Sequence, residues 1–363
     1  MKEVVMLGSG REVRGGISAM VNVCFEQGLF DRWHARYLPT HCDGAALGKL
    51  LRAVTSLARF AALLAARRVA LVHAHIASGA SFWRKAAFIA LARAAHVPYV
   101  LHVHAGDFEA YYQRASRITR AVLRDLYRKA SKVVALSPSW RQPIEAVVPN
   151  ARVEVVPNPV AIPPWNAHAA PRRPIALFLG VVRAEKGVYE LLAAWPKVLA
   201  TMPEARLVIA GTGELARARS LADALGISAS VDFPGWVGPD EKARLLAKAS
   251  ALVLPSHFEA LPMAVLEGMA AGLPIVATRV GAIPEAVGPE AGLLVPPEDV
   301  DALAAALAVA MGDSPQRIAM GAAGRLRARE NFSADVVVPA IERLWDSLAP
   351  DTKRTNQWAA AGP

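Results

Sequence analysis

The sequence has little cysteine, which excludes the class of small proteins held together by disulfides. Only Cys24 and Cys42 occur in 363 residues, and their spacing fits no thiolate metal site. Two cysteines suit a reducing compartment, so we expect a cytoplasmic protein. No run approaches about 18 uncharged apolar residues, so we expect no transmembrane helix. The apolar run near the N-terminus is too short for a signal-peptide core and predicts a first strand.

Several ligand-binding motifs are also missing. No G-x-G-x-x-G follows the first predicted strand, and there is no Walker A loop, no H-E-x-x-H and no C-x-x-C. The pair Asp299 and Asp301 has the D-x-D spacing of a metal site for a nucleotide diphosphate, but it opens a strongly helical run. Acidic residues at that position cap backbone N–H groups and favour the helix dipole. We therefore predict capping, with no bound metal and no cofactor.

Acidic residues are scarce in the first half of the chain. Residues 1–165 hold 22 lysines and arginines against 10 aspartates and glutamates, whereas residues 166–363 hold 19 against 21. Much of this positive charge lies in residues 49–68 and 114–132, where basic residues alternate with apolar ones at helical spacing. Such helices either face solvent or lie on an anionic membrane, so contact with the inner face of the cytoplasmic membrane is one expectation. Nucleic acid is disfavoured, because no nucleic-acid-binding motif accompanies the charge.

Short apolar runs alternate with helical stretches along the whole chain. This pattern predicts parallel sheets covered by helices on both faces. A proline-rich stretch interrupts the pattern near the middle, after which the alternation starts again. We predict two doubly wound, Rossmann-like α/β domains with a ligand cleft between them: a first domain at 1–160, a linker at 161–174, a second domain at 175–330, a last helix at 331–349 and a flexible tail at 350–363.

The segment from His257 to Glu285 is the most informative in the sequence. Glu259 lies in a turn that leads into a helix, and Glu267 follows on that helix after seven intervening residues. Free N–H groups at a helix N-terminus suit a phosphate or a sugar hydroxyl. One carboxylate can bind a ribose diol and the other can orient the hydroxyls of a hexose. The pattern therefore favours a nucleotide-sugar site.

This segment resembles the E-x7-E region of retaining, family-4-type glycosyltransferases, which have the GT-B fold. The resemblance extends over nearly the whole chain in the correct order, and it implies that the last helix crosses back to the first domain. The matching motifs are Gly15-Gly16-Ile17, Leu71-Val72-His73-Ala74-His75, His104-Ala105-Gly106-Asp107, Pro157-Asn158-Pro159-Val160, the loop from Leu179 to Gly187, Gly211-Thr212-Gly213 and Gly281-Ala282-Ile283-Pro284-Glu285.

The resemblance implies a nucleotide-sugar donor, linked to UDP or GDP, and a saccharide or lipid-linked saccharide acceptor, with Lys186 and Arg183 stabilising the departing diphosphate. One position departs from the family pattern: Val181 stands where an arginine is usual, and Arg183 can replace it because residues two apart in an extended segment face the same side. The implied catalytic residues are His104, Glu259, Lys186 and Arg183, and the implied donor-binding residues are Gly16, Gly211, Gly213, Phe258, Ala260, Leu261, Glu267 and Glu285.

Residues 78–85 have two interpretations. They are either an N-cap with packing aromatics or an acceptor site near a lipid-linked pyrophosphate, whereas His73, His75 and His102 are expected in the core.

The family predicts a hexosyltransferase of bacterial exopolysaccharide or lipopolysaccharide synthesis. A sugar-nucleotide epimerase and a non-catalytic nucleotide-sugar-binding subunit remain alternatives. The residues assigned to the acceptor are Ser78, Ser81, Arg84, Lys85 and Asp107.

Overall fold

Two compact units make up the chain, of which the computed structural model describes residues 2–165 and 173–352. Unit 1 comprises the chain up to Pro159 and again from Ala334 onward, and unit 2 comprises Val160–Ser333. Each unit is built on one six-stranded parallel sheet flanked by helices. The predicted class of two doubly wound α/β domains is therefore confirmed. Residues 166–172 of the predicted linker and 353–363 of the predicted tail lie outside the described residues.

The sheet of unit 1 has the strand order β2-β1-β3-β4-β5-β6. Its central strands are apolar and buried along nearly their whole length, as expected where helices cover both faces. The elements are β1 (Glu3–Gly8), α1 (Gly16–Glu26), α2 (Leu29–Arg32), β2 (Arg36–Pro39), α3 (Ala46–Ala65), β3 (Val69–Ile76), α4 (Ala80–Ala94), β4 (Tyr99–Val103), α5 (Phe108–Arg114), α6 (Arg117–Lys129), β5 (Lys132–Ala135), α7 (Pro138–Val147) and β6 (Val153–Val155).

The sheet of unit 2 has the order β12-β11-β10-β7-β8-β9. Its elements are β7 (Ile175–Leu179), α8 (Val188–Thr201), β8 (Arg206–Ala210), α9 (Leu215–Ala224), β9 (Val231–Gly235), α10 (Pro239–Lys248), β10 (Ala251–Leu254), α11 (Met263–Ala270), β11 (Ile275–Thr278), α12 (Ile283–Val287), β12 (Gly292–Val295), α13 (Val300–Met311) and α14 (Pro315–Arg327).

The last long helix, α15 (Ala334–Leu348), packs on unit 1. Its Trp345 is fully buried and meets Trp33 edge-to-face, with ring centroids 5.7 Å apart. Glu342 accepts a hydrogen bond from the guanidinium of Arg32 at 2.7 Å. The 3₁₀ turn Pro350–Thr352 follows, with Thr352 buried, so the predicted tail does not begin at residue 350.

The start of the predicted linker is attached to unit 2. The guanidinium of Arg325 donates to the carbonyl oxygens of Pro163 and Trp165 at 2.7 and 3.0 Å. Residues 161–165 are therefore held against α14 by hydrogen bonds. This contact depends on a residue 160 positions further along the chain, which proline content alone does not indicate.

The basic segment 114–132 is not one helix. Helix α5 ends at Arg114, and the Ser116 side chain starts α6 by accepting a hydrogen bond from the Thr119 N–H at 3.2 Å. Helix α6 ends at Lys129, and Lys132 already begins β5. The other basic segment, 49–68, corresponds to α3, which begins earlier and ends at Ala65. No helix within the described ranges is long and apolar enough to cross a bilayer.

Candidate active site

The sheet of unit 2 reverses its strand order where β7 lies beside β10. The chain runs outward from β7 to β9, crosses back to β10 and continues to β12. Ligands of such sheets bind at this point, beyond the carboxyl ends of the two strands. The loop after β7 and the loop after β10 meet here, since the His257 N–H donates to the Glu185 carbonyl at 2.9 Å. The phosphate loop and the E-x7-E turn predicted from the sequence are therefore neighbours.

Gly187 allows these two loops to approach closely. It has a φ of +68°, and a Cβ at this position would clash with the carbonyl oxygen of Pro255. Only glycine combines this left-handed conformation with the absence of a side chain at low cost. The position of Lys186 next to the loop after β10 therefore depends on Gly187.

Lys186 and Glu259 form an ion pair at the centre of this site. The Lys186 Nζ lies 2.5 Å from the Glu259 Oε1, and the Ser256 hydroxyl donates to the same oxygen at 2.8 Å. The Glu259 side chain is 10% exposed, whereas that of Lys186 is 28% exposed. A carboxylate this buried requires its charge-assisted hydrogen bonds. The pair leaves a partly accessible ammonium group that can meet an anionic ligand.

Glu267 is also paired, which the sequence did not indicate. It lies on α11, and its Oε1 accepts a hydrogen bond from the Lys242 Nζ at 2.6 Å. Lys242 lies on α10, 25 residues earlier, and looks like any other basic residue of an amphipathic helix. Nothing local in the sequence marks it, so only the tertiary structure shows its contact with Glu267. The pair places a partly exposed cation beside the carboxylate.

His257 is a second residue that sequence reasoning missed. Its Nε2 lies 3.0 Å from the Glu190 Oε1, so the loop after β10 is tied to the first turn of α8. His257 stands at the start of the informative segment, and its position beside Phe258 was the available signal. The contact adds a third link between the two loops of the site.

The G-x-G turn packs against the phosphate loop. A Cβ on Gly211 would clash with the carbonyl oxygen of Gly180, and one on Gly213 would clash with that of Val182. The Val182 N–H donates to the Thr212 carbonyl at 2.7 Å. The absence of a side chain at these two positions lets the turn after β8 lie directly on the loop after β7.

The other donor-binding candidates of unit 2 differ in accessibility. Arg183 and Phe258 are 58% and 45% exposed, and the Arg183 guanidinium lies 4.0 Å from a Glu185 carboxylate oxygen. Ala260 and Leu261 are buried. Glu285 is exposed on α12, and its main-chain carbonyl accepts a hydrogen bond from Arg327 at 2.8 Å. Arg183 and Phe258 are thus exposed beside the paired carboxylates.

Asp299 has the capping role that the sequence predicts. Its Oδ1 accepts a hydrogen bond from the Ala302 N–H at 2.9 Å at the start of α13. Asp301 forms an exposed ion pair with Lys197 of α8. The two carboxylates are thus engaged with different partners.

Unit 1 contains a run of four histidines on one face of its sheet. His73 and His75 alternate along β3, His102 is on β4, and His104 follows that strand directly. Neighbouring rings along the run lie 4.5 to 5.3 Å apart. The alternation of side chains along paired strands brings the four rings together.

Hydrogen bonds fix the protonation of two of these rings. The Trp345 indole N–H donates to the His73 Nδ1 at 2.8 Å, so the proton of a neutral His73 is on Nε2. That nitrogen lies 3.1 Å from the His102 Nδ1 and donates to it. His75 Nδ1 and His104 Nε2 are paired at 2.8 Å. His104 therefore uses its Nε2 in the contact with His75.

Burial keeps the histidine run neutral. It lowers the pKa of His73 to about 3, and it lowers the pKa of His104 to about 3 with further contributions from the neighbouring His73 and Lys85 side chains. The pKa values of His75 and His102 are also lowered, first by burial and then by the neighbouring imidazoles. A neutral imidazole at His104 can donate or accept a hydrogen bond near pH 7, whereas it cannot act there as a cation.

Within the described ranges, three of these imidazoles are close enough to hold a metal ion. Ligand atoms of His73, His75 and His102 lie within 4.8 Å of one another, and the Nε2 atoms of His75 and His102 have no hydrogen-bond partner. Both nitrogens of His73 are already used, by Trp345 and by His102. Coordination by His73 would break one of these bonds, so the rings fit their hydrogen-bonded arrangement better than a metal centre.

The acceptor candidates lie at the carboxyl edge of the unit 1 sheet, but not all are accessible. The Ser78 hydroxyl donates to the Asp107 carboxylate at 2.5 Å, and Ser81 and Arg84 are half-buried. Lys85 is 2% exposed, and burial, with a contribution from Arg84, lowers its pKa to about 7.

The Lys85 ammonium faces inward. It donates to the Thr40 hydroxyl at 2.7 Å, and Thr40 in turn donates to the Gly8 carbonyl at 2.9 Å. Lys85 therefore supports the edge of the sheet, and Arg84 is the more accessible cation. Gly16 is the exposed first residue of α1 in the same unit.

Comparisons with known proteins agree with this geometry. The family model described as "Glycosyl transferases group 1" matches residues 165–327, and the one described as "Glycosyl transferase 4-like domain" matches residues 9–159. A glycogen synthase of Mycobacterium tuberculosis is 32% identical over 274 residues, which are 71% of this chain and 65% of that protein. The alignment thus spans slightly less than two thirds of this relative.

Solved structures show the same fold. A sucrose-phosphate synthase of Thermosynechococcus elongatus superposes with a TM-score of 0.80 at 21% identity, covering 97% of this chain and all of that one. Anabaena HepE, solved with UDP-glucose, superposes with a TM-score of 0.77 at 18% identity, covering 96% and 100%.

The two six-stranded parallel units superpose on these solved glycosyltransferases over nearly the whole chain and have the GT-B fold. The two family matches are more specific than the fold. The chain belongs to the glycosyl transferases of group 1, of the family-4 type.

Proposed function

We propose that this protein is a retaining hexosyltransferase that uses a UDP- or GDP-linked sugar. The observation that carries the proposal is the Lys186–Glu259 ion pair at the switch point of unit 2. The acceptor is a hydroxyl of a saccharide or of a lipid-linked saccharide. The reaction belongs to bacterial exopolysaccharide or lipopolysaccharide synthesis, and the protein works in the cytoplasm.

The residues of unit 2 match the charge that develops in such a reaction. The bond between the anomeric carbon and the diphosphate oxygen breaks, and its electron pair stays on the diphosphate. The Lys186 ammonium and the exposed Arg183 guanidinium supply positive charge to this leaving group. The acceptor hydroxyl forms the new bond on the same face of the sugar, and its proton passes to the departing diphosphate oxygen.

The carboxylates have different roles in this proposal. Glu259 orients the hexose together with the backbone of Phe258–Leu261, and Glu267 binds the ribose diol. His104 serves the hexose and the reaction centre as a neutral imidazole, because burial holds its pKa far below 7. Ser78, Asp107 and Arg84 are assigned to the acceptor. Anabaena HepE has the same fold and was solved in complex with UDP-glucose, which supports a nucleotide-sugar donor.

Thermal unfolding with a panel of nucleotides tests the donor. A ligand at about 100 times its Kd adds about 2.7 kcal/mol to the free energy of unfolding. We expect one of UDP, GDP and ADP, and its hexose conjugate, to raise Tm clearly above the others. The conjugate should also give a glycosylated product when saccharide acceptors are supplied. An absence of any shift at millimolar nucleotide would contradict the proposed donor site.

Metal removal tests the assignment of the leaving-group charge to side chains. We expect EDTA to leave the transfer rate within about twofold, because the charge comes from Lys186 and Arg183 rather than from an ion. Inductively coupled plasma mass spectrometry of the dialysed protein should confirm that the metal has gone. A rate that collapses with EDTA and returns with one divalent cation would overturn the assignment and direct attention to Asp301 or to the histidine run.

A further inference from the structure

The first half of α3 projects from unit 1 with little contact to the core. Residues 46–51, 54 and 55 are exposed, and residues 52 and 53 are half-buried. The first buried residues of the helix are Ser56 and Phe60. In the second half of the helix, Leu57, Leu63 and Leu64 pack against the buried hydrophobic core of unit 1. The near half is therefore not held in place by burial of its own side chains.

This exposed half carries an apolar stripe, defined by Leu47, Leu50, Leu51 and Val54. Their exposed fractions are 66, 60, 55 and 55%. At 3.6 residues per turn, the four side chains fall within a stripe about 100° wide that points away from the core. A soluble helix normally turns such a stripe inward, so this one requires a partner.

Nearly all exposed large apolar side chains in the described part of unit 1 lie on helices that cover one face of its sheet. Trp83 of α4 and Ile118 of α6 are 45% and 72% exposed, and each lies in the first turns of its helix, as the apolar stripe does in α3. All three helices contribute buried side chains to the same hydrophobic core of unit 1 and hence cover the same face of the sheet. Among the exposed large hydrophobic side chains in the described part of unit 1, only Val336 lies elsewhere.

Basic residues outnumber acidic ones around the apolar stripe, where the Glu12 carboxylate lies 3.9 Å from the Arg52 guanidinium. No aspartate or glutamate occurs between Asp43 and Asp107, whereas eight lysines and arginines do. On α3 itself, Lys49 and Arg59 are exposed, and Arg52 is half-buried. Each cation near an anionic bilayer adds attraction, and aliphatic side chains beside it can enter the interface.

We propose that the apolar stripe of α3 inserts into the surface of an anionic membrane. Charge complementarity favours lipid over a second copy of the chain, because two copies would bring like charges together. The proposal deepens the proposed function: helices α3 and α4 begin at the carboxyl edge of the sheet, where Ser78 and Asp107 lie. The membrane would thus present a lipid-linked acceptor to that edge. The proposal also places the insertion on α3 rather than equally on the two basic segments, 49–68 and 114–132.

Vesicle co-sedimentation of the full chain, without donor, tests the proposal. We expect binding to vesicles containing about 30% phosphatidylglycerol, weak binding to pure phosphatidylcholine, and a further loss at about 0.5 M NaCl. Changing Leu47, Leu50, Leu51 and Val54 together to Gln should weaken binding at least tenfold. The matched control changes Ile318 and Leu326 of α14, which are 43% and 55% exposed in unit 2, to Gln and should bind like the native chain.

Other outcomes would overturn the proposal. They are no binding of the native chain to anionic vesicles, or equal binding by the native chain and the stripe variant. A native dimer in lipid-free buffer that the stripe variant turns into a monomer would assign the stripe to a second copy. Circular dichroism should show that the variant is folded, which its exposed positions favour. The nucleotide-induced Tm shift is measured separately, so failure of membrane binding and failure of the proposed function remain distinguishable.

Discussion

Replacing Lys186 with Ala should lower kcat by about 10² to 10³-fold, the range typical for loss of one preorganised group that stabilises developing charge. The ammonium lies beside Glu259 at the switch point of unit 2, where the departing diphosphate would be held. The loss should fall on kcat more than on KM, because the charge grows as the bond breaks. Steady-state transfer kinetics with the nucleotide-sugar identified by the thermal panel would measure both constants.

This substitution needs controls, since it also removes the ion-pair partner of the buried Glu259 carboxylate. Breaking a buried ion pair can destabilise a protein by several kcal/mol. The double variant Lys186→Ala with Glu259→Gln removes the orphaned charge, so its thermal unfolding shows how much of any lost stability comes from the lone carboxylate. Lys197→Ala is the matched surface control, because it removes an exposed ion pair with Asp301. Near-native turnover in folded Lys186→Ala protein would remove the leaving-group role.

Much of the architecture could be predicted because its elements are locally encoded. The strand Ile175–Leu179 and the helix Ala334–Leu348 can be recognised in the sequence, since each has a clear apolar pattern between polar or proline-rich flanks. The edge strand β2 gives a weaker sequence signal, because only Leu38 of its four residues is buried. Helix α14 also gives a weak signal, because two of its buried residues, Gly321 and Gly324, contribute no apolar periodicity.

The motif residues of the site could be named from the sequence, whereas their partners could not. The resemblance singled out Glu267 and Lys186, but Lys242 sits in an ordinary amphipathic helix and reaches Glu267 only through the fold. The inward position of Lys85 has the same origin, since Thr40 is 45 residues away. Such contacts between distant residues have no local signature.

The histidine run shows the same limit in unit 1. Alternation along the two strands predicts that the rings share a face, but the donor that fixes His73 is Trp345, 272 residues further on. His104 was expected as a ligand contact from the family motif. Its neutral state follows from burial among uncharged rings, which is a property of packing rather than of the motif.

Glu267→Ala should weaken binding of the nucleoside diphosphate about 10- to 100-fold. A hydrogen bond to a charged group contributes about 1.5–3 kcal/mol, and each 1.4 kcal/mol changes Kd about tenfold. The carboxylate is 15% exposed and already oriented by Lys242, so it can meet a ribose diol with little loss of side-chain freedom. Isothermal titration of the native and variant chains with the diphosphate gives the two Kd values directly.

Two further variants distinguish ribose binding from a merely structural role of Glu267. Lys242→Ala removes the partner but keeps the carboxylate, so it should weaken binding less than Glu267→Ala does. Glu241→Ala removes a neighbouring exposed ion pair with Arg244 and should leave Kd unchanged. Titration with the 2′-deoxy form of the diphosphate completes the argument. The native chain should bind this form more weakly, and Glu267→Ala should no longer discriminate between the two. An unchanged Kd in folded Glu267→Ala protein, or discrimination that survives the substitution, would move the ribose contact away from Glu267.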